Sequence, residues 1–167
     1  MQSPAPKLSI VADRGRLVMA TYGQVFVAGW SDAPTPQTLW DLRAAGQAEE
    51  EQRGPMALLN IAFSGRPSFS DDVRRAAQRL TSDASLFQVS RAHVVLIPGL
   101  PGTAVRAFIN TFILLARPPK PTKMHGTILG AVQWNAKHLG TPQPSESATL
   151  AELAVFERRV VDGQAEP

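Results

Sequence analysis

Residues 56–76 read MALLNIAFSGRPSFSDDVRRA. Met56–Phe63 is a nearly unbroken apolar run, of a length that predicts a strand buried on both faces. Gly65-Arg66-Pro67 stops it. From about Ser70 to Thr81 the period changes. Val73, Ala76, Ala77 and Leu80 fall at i, i+3, i+4 and i+7, one stripe of an amphipathic helix, with Arg74, Arg75, Gln78 and Arg79 on the other side. A buried strand handing over to a helix is the building unit of a parallel sheet.

The same unit recurs on either side. Toward the C-terminus, Ala92–Pro98 reads as a second buried strand. Gly99–Gly102 reads as a break, and a helix follows over Thr103–Ala116 with Val105, Phe108, Ile109 and Phe112 inward. Lys123–Gly126 is a short strand. Thr127 caps a further helix that presents Leu129, Val132, Ala136 and Leu139. A polar linker from Gly140 leads to a last amphipathic helix over about Ser147–Val161. Toward the N-terminus, Leu8–Ala12, Leu17–Thr21 and Val25–Trp30 read as strands joined by short turns. Thr35 and Pro36 then open a helix that runs to about Glu51. This order predicts an α/β fold: a mostly parallel sheet of four to six strands with an antiparallel edge, helices packed against it, and an extra C-terminal helix. Residues 1–7 are expected to be loose, 8–140 to form the domain, and 141–167 to be linker and helix.

A chain of 167 residues suits one domain with a sizeable core. The absence of cysteine excludes a disulfide scaffold, a thiolate metal site and a thiol nucleophile. Net charge is +3, and the densest basic knot is Arg74, Arg75 and Arg79 on one helix. That is too thin a cluster to predict a nucleic-acid partner. No signal peptide is read at the N-terminus. The longest apolar candidate for a membrane span, Ala107–Ala116, is short and interrupted by Asn110. The expectation is a cytoplasmic protein without membrane insertion.

His93, His125 and His138 lie too far apart for a local ligand pair, and no metal or cofactor is expected. No catalytic residue is assigned, since neither a Gly-x-Ser-x-Gly elbow nor a phosphate loop occurs. Three groups are candidates for binding. Ser68 and Ser70, with Asp71 and Arg66, can cap the helix or form a phosphorylated partner loop. Gly102, Thr103 and Arg106 can hold an anion at a helix N-terminus. The helix 103–116 also carries Ile113 and Leu114 off its inward stripe, so it needs cover on more than one side. Two covers are open: the C-terminal helix, through Leu150, Leu153, Phe156 and Val160, or a second copy of the chain in a homodimer.

The order, with its strand–serine–helix junction, resembles the STAS domain (sulfate transporter and anti-sigma-factor antagonist), and in particular the divergent bacterial proteins that consist of one such domain. Residues 56–76, SRAHVVLIPGLPGTAVRAFINTFILLARP (90–118) and KMHGTILGAVQWNAKHL (123–139) carry the resemblance, which covers about 8–140. The family's Asp-Ser-Ser/Thr-Gly signature is replaced by Pro67-Ser68-Phe69-Ser70-Asp71-Asp72, so only Ser68 or Ser70 can inherit its phosphorylation. The resemblance implies a non-enzymatic regulatory or scaffolding module that acts on a protein partner through the helix after that loop. The residues alone leave open an alternative: a protein binding a small ligand, an anion or nucleotide, in a pocket at the carboxyl ends of the parallel strands, lined by Ser68, Ser70, Gly102, Thr103 and Arg106.

Overall fold

In the computed structural model, which describes residues 6–67 and 70–163, six strands form one sheet in the order β1-β2-β3-β4-β5-β6. They are β1 (Leu8–Asp13), β2 (Leu17–Tyr22), β3 (Val25–Trp30), β4 (Ala57–Ala62), β5 (Arg91–Val95) and β6 (Thr122–His125). β1–β2 and β2–β3 pair antiparallel, and β3 through β6 pair parallel. The described helices are α1 (Pro36–Arg53), α2 (Asp71–Ser82), α3 (Gly99–Ala116), α4 (Ile128–Leu139) and α5 (Glu146–Asp162). The fold is thus α/β with a mixed sheet. The loose terminus expected over 1–7 falls mostly outside the described residues, as do Ser68 and Phe69.

The strand order decides where the helices go. Each parallel step moves to the next strand in the same direction. Crossovers of one hand then place α1, α2 and α3 on one face. The other face is left for α4 and α5. The core divides accordingly. On the first face Met19, Phe26, Ala28 and Leu58 meet Leu39 and Leu42 of α1 and Val73 and Ala76 of α2. On the second, Val18, Val27, Leu59 and Val94 meet Ala131 and Val132 of α4 and Leu153, Phe156 and Val160 of α5. Strands β2 to β4 are covered on both sides, the reason their sequences run apolar instead of alternating.

Phe156 and Val160 lie directly over Gly29. A Cβ on Gly29 would sit 2.6 Å from the Phe156 ring and 2.8 Å from Val160. Tyr22 and Thr149 share a buried hydrogen bond of 3.0 Å that pins α5 to the sheet. Asn135 does the same for α4: its amide donates to Leu58 O and its oxygen accepts from Ser90 Oγ. Leu153, Phe156 and Val160 are therefore core residues of the second face, while α3 stands on the first. The C-terminal helix does not cover α3, because the strand order puts the sheet between them.

Below α1 a polar lock closes the first face. Glu50 is 7 % exposed, and its carboxylate accepts from the backbone N–H groups of Met56, Phe87 and Gln88 at 2.9, 2.8 and 2.9 Å. Phe87 takes the left-handed φ of 47° and packs on Phe26, with ring centroids 5.4 Å apart. Arg91, 3 % exposed, donates to the carbonyls of Thr81, Asp83 and Leu86 from the other side.

Candidate functional site

α3 stands apart from both cores. Among its residues only Gly102 is buried. Its inward stripe, with Val105, Phe108, Ile109 and Phe112, roofs a cavity of about 170 Å³. α2 supplies one wall through Val73, Ala77 and Leu80. The rim is made of two loops, 32–34 after β3 and 64–67 after β4. They are stitched together: Ser64 Oγ donates to Ser31 O at 2.8 Å, and Gly65, at φ 115°, lies so close to Asp32 that a Cβ would meet its Cα at 2.5 Å. Only glycine fits there.

The floor is polar in one line across three strands. Trp30 Nε1 donates to Asn60 Oδ1 at 2.7 Å, and Asn60 Nδ2 lies 3.1 Å from His93 Nδ1. Proton bookkeeping fixes the roles. Trp can only donate, so Asn60 Oδ1 accepts and Nδ2 is the donor toward His93. His93 Nδ1 must then carry a lone pair, and the neutral ring holds its hydrogen on Nε2. That N–H has no protein acceptor among the described residues, and His93 lines the cavity. Burial, with smaller contributions from the Arg91 and His125 charges, pushes the His93 pKa down to about 4. The imidazole is neutral at neutral pH.

A pH dependence follows. The folded state binds fewer protons than the unfolded state between about 6.5 and about 4. Stability is full above the ordinary value and falls as pH drops through this window, by about 2–3 kcal/mol. Urea midpoints are expected to decline between these limits in the native chain and to decline less in His93→Phe. An equal slope in both would assign the effect elsewhere. His125 is also shifted down, by burial first and then by Lys123, and adds in the same direction.

His93 and His125 sit on adjacent strands, but His93 pairs in register with Met124, and His125 with Val94. Their side chains leave opposite faces. His125 packs 5.2 Å from Trp134, which in turn meets His138 at 4.3 Å. Among the described residues no group of three His, Asp or Glu could hold a metal ion.

The other sequence candidates fall as follows. Ser70 is the N-cap of α2 and accepts from Val73 N at 3.4 Å; Asp71 and Asp72 occupy the first turn. Ser68 lies outside the described residues. Ser70→Ala is expected to cost about 0.5–2 kcal/mol, toward the lower end for so long a bond. An unchanged urea midpoint would make the hydroxyl idle. Arg66 lines the cavity rim, exposed. Gly102 is set by packing: a Cβ there would lie 1.7 Å from Ile97 O. Thr103 donates to Gly99 O at 3.2 Å, and Arg106 donates to Val95 O and Ile97 O at 3.2 and 3.3 Å. Those two side chains tie α3 to its own N-terminus and to the end of β5. Ile113 lines the cavity and Leu114 is exposed. Leu150 is half-exposed on α5. The basic knot on α2 is largely engaged: Arg74 pairs with Asp71, Arg75 with Asp72, and Arg79 lies over Trp40 at 6.0 Å. Asn60 and His93 are the residues that the sequence did not bring together; the one signal is a lone amide inside an apolar run, at Asn60.

No protein-family model, curated protein or solved structure matches the chain.

Proposed function

We propose that the chain is a binding module for a small, mainly apolar molecule that carries one hydrogen-bond acceptor, held under α3. The observation that carries this reading is the Trp30–Asn60–His93 line, which ends in a donor without a protein acceptor at the floor of an apolar cavity. His93 is half-buried and lines the cavity, so an occupant can reach this N–H. A ligand carbonyl or ether oxygen meeting His93 Nε2 completes the line. The size favours a ring or a short acyl group, since an apolar cavity of about 150 Å³ takes benzene. A nucleotide, or an anion meeting neutral His93, fits this site poorly. The proposal is of binding in the cytoplasm, without a cofactor and without catalysis.

A second reading keeps the STAS-like arrangement and its protein partner. It is favoured by the rim: the 64–67 loop lines the cavity and the exposed cap of α2 at Ser70 comes soon after it in the sequence, so a partner that takes in both would share the rim with a cavity occupant. Phosphorylation of Ser68 or Ser70 belongs to this reading.

The test uses acetophenone, a ring with one acceptor, against ethylbenzene, which has a similar shape and no acceptor, and benzoate, which is charged. Indole and imidazole N–H resonances are followed by nuclear magnetic resonance at millimolar ligand. Acetophenone is expected to move the Trp30 indole signal most and to lose that effect in His93→Phe. An unmoved Trp30 signal with all three probes would overturn the cavity reading.

A further inference from the structure

The charges of this chain are unevenly placed. Between Ala84 and Ser145 there is no aspartate or glutamate, while Arg91, Arg106, Arg117, Lys120, Lys123 and Lys137 all fall there. This stretch builds β5, α3, β6 and α4, one edge of the sheet with the helices upon it. Arg91 and Arg106 are turned inward onto backbone carbonyls. Arg117, Lys123 and Lys137 are exposed and Lys120 partly so, and none of the four forms an ion pair among the described residues.

Along the same edge runs the outer side of α3. It presents Leu100, Ala104, Ala107, Thr111, Leu114 and Leu115, all exposed, and no charged residue. Leu100, Leu114 and Leu115 are 84, 76 and 75 % exposed. Among the described residues α3 is the one helix long and apolar enough to cross a membrane by length and composition. Its inner stripe roofs the cavity, which fits it to lie on a surface rather than to span. Exposed leucines in a row, followed at once by unpaired basic side chains, are complementary to a surface that is apolar just beneath a layer of negative charge.

We propose that this edge docks peripherally on an anionic phospholipid bilayer. Leu114 and Leu115 enter the acyl boundary, and Arg117 and Lys120, which follow α3 directly, lie over the headgroup phosphates. A second copy on the same face would bring two basic edges together. A nucleic acid would match the charges and leave the leucines wet. The proposal does not rest on the cavity ligand.

Co-flotation of the full chain tests it, with vesicles of pure phosphatidylcholine against an equal mixture of phosphatidylcholine and phosphatidylglycerol. Binding is expected on the mixed vesicles only, and is expected to weaken in high salt. L114Q/L115Q is expected to reduce the partition constant at least about tenfold. R117E/K120E is expected to reduce it about tenfold as well. Leu150→Gln, on the opposite face, is expected to leave it unchanged. Circular dichroism verifies that each variant folds, which substitution at exposed positions favours. Three outcomes would overturn the proposal: no flotation with the anionic vesicles, flotation that L114Q/L115Q leaves intact, or a solution dimer abolished by L114Q/L115Q with no vesicle binding.

Discussion

Glu50→Ala is expected to lower the stability of the chain by about 4 kcal/mol or more, because it orphans two buried backbone donors and a third, partly buried one, at once. The carboxylate holds the N–H groups of Met56, Phe87 and Gln88. No side chain at position 50 shorter than glutamate reaches them, and water has little access to a residue 7 % exposed. The substitution also removes a negative charge that attracts buried Arg91. With a urea slope of about 2 kcal/mol per molar, the midpoint should drop by about 2 M. Glu50→Gln should cost less, since its amide oxygen can still accept, while its NH₂ faces a donor. A midpoint in Glu50→Ala close to the native value would mean that these N–H groups find other acceptors.

The second large effect is a coupling. Phe156→Ala should cost about 3–5 kcal/mol, the usual range for a fully buried ring. Gly29→Ala should cost about 1–3 kcal/mol, because its methyl would press into that ring and into Val160. The double variant should be more stable than the sum of the two losses implies, by about 1 kcal/mol or more. The new methyl occupies part of the space the ring vacates. Strict additivity in a double-mutant cycle would show that the close approach of α5 to β3 does not set the cost of either change.

The element order was legible because each apolar run and each helical stripe is local. Thr35, Ser70 and Thr127 announced their caps by side-chain chemistry, and each is the N-cap in the fold. The start of α3 was misread. Gly99-Leu-Pro-Gly102 looks like a break, yet the helix begins at Gly99. Pro101 falls in the first turn, where the backbone N–H has no helical partner to lose, so it is tolerated there. The cover of α3 was not legible at all. Its stripe and that of α5 are both apolar, and only the sequential strand order places them on opposite faces. The cavity floor was hidden for a similar reason. Trp30, Asn60 and His93 are about thirty residues apart, and one amide in a run of aliphatic neighbours carries no label. With an order of one through six there is also no point at which the strand order reverses, the place where open α/β sheets usually open a crevice. The cavity lies under α3 instead.

That same order has a consequence for how the chain is made. Every strand is added beside the one synthesised just before it, so the sheet can extend during translation without rearranging strands already in place. The first face gains its helices along the way. The second face waits for α4 and α5, the last helices to be synthesised, and until then Val18, Val27 and Leu59 have no cover. A stalled or prematurely ended chain would therefore expose one whole side of a nearly finished sheet, a form suited to capture by holding chaperones.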